Sequence, residues 1–214
     1  MGGIMQQKHF VATHGVGHGS WVYYKLKPRL EAAGHRFTPV DLAASGVNEK
    51  KLEEVLSLDE YTTPLLEVLA SIPKNEKVVL IGHSGGGMAA AVGMEKYPEK
   101  IAVAVFLNAI MPDSKNRPSS QDQALGTLLM RPGSLFIEDL LKADNFTDEK
   151  FGSVPRVFVV ATEDKVIPPE FQRWMIENNP VKEVKEIKGS DHMPMFSKPD
   201  ELCQCLVEIA QTHA

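Results

Sequence analysis

Short, contiguous apolar runs alternate along this chain with longer segments whose apolar positions recur every three or four residues. Strands are predicted at 8–13, 36–42, 77–82, 101–108, 154–162 and 183–188, with Val78-Val79-Leu80-Ile81 the clearest apolar run among them. Between them fall predicted helices. The first is capped by Ser20, runs through Trp21, Tyr24, Leu26 and Leu30, and closes at Gly34. A second covers 58–72 and stops at Pro73, and a third ends at Tyr97, ahead of Pro98. Another begins near Pro168-Pro169, and a last one runs over 199–211. Regular alternation of this kind predicts an α/β fold: a mostly parallel sheet of about six strands with helices on both faces.

One segment breaks the rhythm. Residues 113–123 are polar and contain Pro118, which reads as a loop. Residues 124–130 and 134–143 read as two short helices parted by Arg131-Pro132-Gly133. So long an irregular insertion in a compact domain is more often functional than idle.

Composition narrows the function classes. A chain of 214 residues with 43% hydrophobic content suits one domain over 1–214 with a sizeable core. A formal net charge of −5, with no basic stripe, argues against a nucleic-acid partner. No apolar run approaches the roughly 20 residues needed to cross a bilayer, so no membrane association is expected. The start, Met1 to Lys8, lacks the charged and apolar regions of a signal peptide. Cys203 and Cys205 stand two apart in a helical stretch and point to different sides, which reads as free thiols in a reducing, cytoplasmic compartment. No metal or cofactor is expected.

Candidate chemistry begins at Gly82-His83-Ser84-Gly85-Gly86, a G-x-S-x-G directly after Val78-Val79-Leu80-Ile81 and before the small-residue stretch Gly87 to Val92. A serine hydroxyl is a poor nucleophile. It gains reach when presented on a sharp strand-to-helix turn, where glycines let backbones approach and clear the way for substrate. In such a fold an acid and then a histidine follow the serine. His192, in the loop after the last strand, is the expected base. His14 and His18 lie on the same rim but precede the serine, and His83 is expected to point away. His9, His35 and His213 read as surface or strand residues without partners. Asp164, just past the strand of Val157 to Ala161, is the expected acid. Asp191 is too close in sequence to bond the His192 ring, Glu163 faces the other side, and Asp41 precedes the serine.

Two backbone N–H groups should stabilise a carbonyl oxyanion, those of Gly85 and of Val16 in His14-Gly15-Val16-Gly17-His18-Gly19. The same glycine-rich turn could instead cradle a dinucleotide phosphate, with Asp41 on a ribose. Its spacing is G-x-G-x-G, however, and Ser20 stands where the third glycine belongs.

Taken together, these residues resemble the plant methylesterase and hydroxynitrile lyase group of α/β-hydrolases, nearest its polyneuridine aldehyde esterase-like branch. The likeness is carried by His14-Gly15-x-x-x-Gly19-x-Trp21, Tyr24 to Pro28, Glu31 to His35 and Asp41 to Gly46. Further along it is carried by residues 78–87, Tyr97 to Ile101, Arg131 to Phe136, and Asp191-His192-Met193. The resemblance implies a serine esterase acting on the methyl ester of a small or medium plant metabolite, an indole alkaloid among them. A β-carbonyl acid product would then lose CO2 with no help from the protein. Ser84, Asp164 and His192 would be catalytic, Val16 and Gly85 the oxyanion donors, and Gly15, His18 and Met193 would border the substrate.

Lyases of the group carry threonine after the first-turn histidine and lysine after the catalytic one. Here those positions are Gly15 and Met193, so the charge that steadies cyanide is missing. Relatives also carry a bulkier apolar residue than Gly85, and they insert a cap of helices and small strands after Pro112. Here Pro112-Asp113 is followed by the Arg131 motif within about twenty residues, so the cap, confined to about 113–145, is reduced. An apolar rim left open in this way could be covered by a second copy in a homodimer. A non-catalytic ligand-binding protein that keeps the three residues is the rival class.

Overall fold

The computed structural model describes residues 6–114 and 146–214. Six strands form one sheet: β1 (His9–Thr13), β2 (Arg36–Val40), β3 (Val78–His83), β4 (Ile101–Leu107), β5 (Arg156–Ala161) and β6 (Glu183–Ile187). The order is β2-β1-β3-β4-β5-β6, and every neighbouring pair is parallel. β1 and β3 to β5 are buried along almost their whole length. This is why they read as continuous apolar runs rather than as alternating ones.

Helices cover both faces. α1 (Leu26–Ala32) and the C-terminal α6 (Pro199–His213) pack against each other over one core, which includes Phe10, Val79, Val105 and Leu206. α2 (Leu58–Ser71), α3 (Gly86–Lys96) and α4 (Pro169–Asn178) close the other, around Leu65, Leu80, Phe106 and Met175. Each such side chain, fully buried, stabilises the fold by roughly 1.5–3 kcal/mol before entropy is subtracted.

Most predicted elements stand, with three local differences. The segment after Gly19 is not one helix: a 3-10 turn (Ser20–Tyr23) precedes α1. Pro28 cannot donate an N–H, so it fits only in a first turn, and α1 starts just before it. Strand β2 stops at Val40 rather than at Leu42, because the Leu42 N–H leaves the ladder and donates to His14 Nε2 (3.1 Å). A short helix, α5 (Pro194–Ser197), follows His192 and was not expected. Its start is built by Asp191, whose Oδ1 accepts from the Met193 N–H (2.9 Å) and the Ser197 hydroxyl (2.8 Å).

The partnerless reading of the outlying histidines needs correction. His9 contacts Glu76 (3.1 Å) and Thr38 (2.9 Å), His213 contacts Glu183 (2.8 Å), and His35 Nδ1 accepts from the Lys8 N–H. The residual cap expected over 113–145, with its two short helices, falls almost wholly outside the described residues. Among those described, no helix is long and apolar enough to cross a membrane. Cys203 and Cys205 are free thiols.

Candidate active site

Ser84 stands where β3 turns into α3. Its φ is +54°, a left-handed conformation that costs a non-glycine residue roughly 1–3 kcal/mol. The surroundings hold it there. Its carbonyl accepts from the Ile110 N–H (3.0 Å) and the Gly87 N–H (3.1 Å), and its N–H donates to Leu107 O (3.4 Å). Gly86 and Gly87 are required by close approach. A β-carbon would lie 2.4 Å from His14 O in the first case and 2.1 Å from Ile110 O in the second.

The loops that leave β5 and β6 bring the other two residues to the same rim. His192 Nε2 lies 3.0 Å from Ser84 Oγ, and His192 Nδ1 lies 2.8 Å from Asp164 Oδ2. A carboxylate only accepts, so Nδ1 carries the proton and Nε2 is free to accept the serine hydroxyl. The Asp164 side chain is fully buried, while His192 keeps a small exposed edge. Asp164 Oδ1 takes the N–H groups of Val166 (2.8 Å) and Ile167 (2.9 Å). Burial pushes the Asp164 carboxyl up, but the hydrogen bond and charge of His192, with Asn108 and the Ile167 N–H, outweigh it and leave it below the usual carboxylate range.

Two residues that sequence reading missed hold this arrangement together. Asn108, fully buried at the end of β4 with φ +33°, donates from Nδ2 to Asp164 Oδ2 (2.8 Å) and to the His192 carbonyl (3.0 Å). Its 3.2 Å approach to His192 Nδ1 is a meeting of two donors at one acceptor. His83, expected to point away, turns under the site instead. Its Nε2 donates to the same His192 carbonyl (2.8 Å). Burial, reinforced by the nearby His192, drives its pKa down to about 3, so the ring is neutral.

The first turn lies against the elbow. A β-carbon on Gly15 would be 3.0 Å from Ser84 Cβ and 3.4 Å from Ser84 Oγ, and one on Gly85 would be 2.5 Å from Val16 Cγ2 and 3.6 Å from Val16 N. Among the described residues nothing accepts the N–H of Val16 or of Gly85. His18 is half-buried and donates from Nδ1 to Val16 O (2.9 Å). Met193 adjoins His192, and its side chain packs on the core under α1 and α6. Asp41 accepts from the Ser20 and Val47 N–H groups, one on each carboxylate oxygen. Another cavity, about 660 Å³, opens at the amino ends of the strands beside Lys8, Arg36 and Lys77 and holds none of these residues. Among the described residues no cluster could hold a metal ion.

A parallel sheet with a strained serine turn and a histidine–carboxylate pair on one rim defines the α/β-hydrolase class. Family models described as alpha/beta hydrolase fold and alpha/beta hydrolase family match residues 8–119 and 129–204. The chain is 46% identical to norfluorocurarine synthase 1 of Strychnos sp, over 96% of each chain. It is also 46% identical to methylesterase 1 of Arabidopsis thaliana, over 96% of this chain and 97% of that one. The crystal structure of polyneuridine aldehyde esterase superposes with a TM-score of 0.88 at 43% identity, covering 96% of this chain and all of that one. The chain belongs to the plant methylesterase and polyneuridine aldehyde esterase-like group of α/β-hydrolases. Its alignment with norfluorocurarine synthase 1 runs over 255 positions. With 214 residues available, at least 41 of those positions have no residue of this chain opposite.

Proposed function

We propose that this protein hydrolyses the methyl ester of a small or medium plant metabolite through an acyl-enzyme on Ser84. The observation that carries the proposal is the continuous line from Ser84 Oγ through His192 to buried Asp164, at 3.0 and 2.8 Å. Ser84 Oγ forms a bond to the ester carbonyl carbon as its proton passes to His192 Nε2. Asp164 steadies the imidazolium from the other side of the ring. The carbonyl oxygen becomes an oxyanion between the Val16 and Gly85 N–H groups, each worth roughly 3 kcal/mol there. The C–OCH3 bond then breaks, the Nε2 proton goes to the departing oxygen, and methanol leaves. Water repeats the sequence and releases the acid.

Gly15, His18 and Met193 would border the acyl group. The glycine at 15 leaves the hydroxyl uncrowded, and Met193 supplies no charge for a cyanide leaving group, which favours hydrolysis over lyase chemistry. On our reading the missing aligned positions fall after Pro112, where relatives insert a cap. The names methylesterase 1 and polyneuridine aldehyde esterase support an ester substrate.

The test is a panel of methyl esters, from small aromatic to large alkaloid, offered to the wild type and to Ser84→Ala, with methanol and acid quantified. Hydrolysis that disappears in Ser84→Ala is expected. Equal rates for the two proteins contradict the proposal, and saturable binding of esters without turnover contradicts it in favour of the ligand-binding class.

A further inference from the structure

Oxyanion stabilisation by Val16 depends on which way one peptide plane faces. The Gly15 carbonyl and the Val16 N–H share that plane and point in opposite directions. Whatever grips the carbonyl therefore aims the N–H. In this structure it is gripped by His14, whose Nδ1 lies 2.8 Å from Gly15 O, with a weaker contribution from the His18 N–H (3.3 Å).

The chemistry of His14 admits one tautomer. Its ring is fully buried, and the Leu42 N–H donates to Nε2 at 3.1 Å. A backbone N–H cannot accept, so Nε2 carries no proton. A carbonyl cannot donate, so Nδ1 does carry one. The next carbonyl along, that of Val16, is held by His18 Nδ1 at 2.9 Å. Val16 thus sits between two peptide planes, each fixed by a histidine that takes no part in proton transfer.

We propose that His14 is a positioning residue which, as its Nδ1–H tautomer, aims the Val16 N–H at the substrate's carbonyl oxygen. The inference rests on the hydrolytic reading of the Ser84 site. Burial pushes the His14 ring's pKa down, with His18 adding to it, against the Gly15 carbonyl and the Asp41 charge. The neutral form that the arrangement requires is the favoured one. Because β1 ends where His14 begins and Leu42 follows β2, the ring also ties the oxyanion turn to the neighbouring strand of the sheet.

His14→Phe keeps the aromatic volume and removes both ring nitrogens. His14→Asn keeps a donor where Nδ1 stood. With p-nitrophenyl acetate, kcat/KM of His14→Phe should fall about 100-fold, the usual cost of one oxyanion donor. With the thiono ester, whose C=S accepts hydrogen bonds poorly, the fall should be no more than a few-fold. The oxygen-to-sulfur rate ratio therefore drops at least about 10-fold, while His14→Asn stays within about three-fold of the wild-type ratio. Equal losses on both esters mean a structural role alone and overturn the proposal.

Should His14→Phe fail to fold, the ¹⁵N correlation pattern of the wild-type histidines decides the matter. A proton on Nδ1 of His14 supports the proposal, and one on Nε2 overturns it. Absence of any Ser84-dependent hydrolysis overturns the hydrolytic reading itself, whereas an Nε2–H ring overturns the His14 role alone.

Discussion

Replacing Asn108 with glycine, and separately with alanine, isolates what its side chain contributes from what its backbone tolerates. The Nδ2 group gives one hydrogen bond to a buried carboxylate and one to a carbonyl. The first is charge-assisted, worth about 1.5–3 kcal/mol net, and the second about 1 kcal/mol. Glycine loses both bonds but accepts the φ of +33° freely, so Asn108→Gly should cost about 3 kcal/mol. Alanine adds a left-handed penalty of about 1 kcal/mol. For a chain of this size each kcal/mol moves the thermal midpoint by about 2–4 °C. Calorimetry should therefore place Asn108→Gly about 6–12 °C below the wild type, and Asn108→Ala another 2–4 °C lower. Activity should fall less steeply, about 10-fold in kcat, because His83 still holds the His192 carbonyl at 2.8 Å. A midpoint for Asn108→Gly within 2 °C of the wild type, or an alanine variant more stable than the glycine one, would refute this reasoning.

Further predictions concern neighbouring groups. Asp164 is held below its usual pKa, so its ionised form stabilises the fold above about pH 4, and this stability is lost as pH falls through the lower folded value. Urea unfolding should show the gap between wild type and Asp164→Asn shrinking from pH 6 to pH 3; a widening gap contradicts it. Gly15→Ala places a methyl 3.0 Å from Ser84 Cβ, so ester hydrolysis should fall about 10-fold while the melting temperature moves by about 3 °C or less. Unchanged kinetics would count against the crowding argument. Gly85→Ala drives a methyl to 2.5 Å from Val16 Cγ2, an overpacking cost of about 1–3 kcal/mol that Val16→Ala should relieve. A double-mutant cycle should give about 1 kcal/mol or more of coupling, and simple additivity would show that the two side chains do not compete for one space.

The sheet was legible in the sequence because a parallel sheet buries both faces and leaves unbroken apolar runs such as Val78 to Ile81. The elbow was legible because close approach demands glycine at particular offsets, which Gly86 and Gly87 satisfy. The meeting of Ser84, Asp164 and His192 on one rim follows from their places at strand ends. Asn108 and His83 did not follow. Asn108 looked like the last residue of a strand, and only its type, an asparagine at a carboxyl rim where left-handed backbone favours it, carried a signal. His83 carries no such signal, because its side chain diverges from Ser84 at the elbow. Divergence from the serine says nothing of the His192 loop folding over from 109 residues away. The short helix α5 was hidden by its length, although Asp191 with Pro194 three positions on is a readable start. The start of the first helix is obscured because Ser20 has the residue type of a cap, while Gly19 takes that place and Asp41 holds the Ser20 N–H.

Hydrolysis at this site requires Ser84 to be an activated nucleophile, and intact-protein mass spectrometry after treatment with a serine-reactive fluorophosphonate tests that directly. One adduct per chain on the wild type, located at Ser84 by peptide mapping and absent from Ser84→Ala, is the predicted result. A wild-type protein that stays unlabelled, or an adduct that persists in Ser84→Ala, would contradict it.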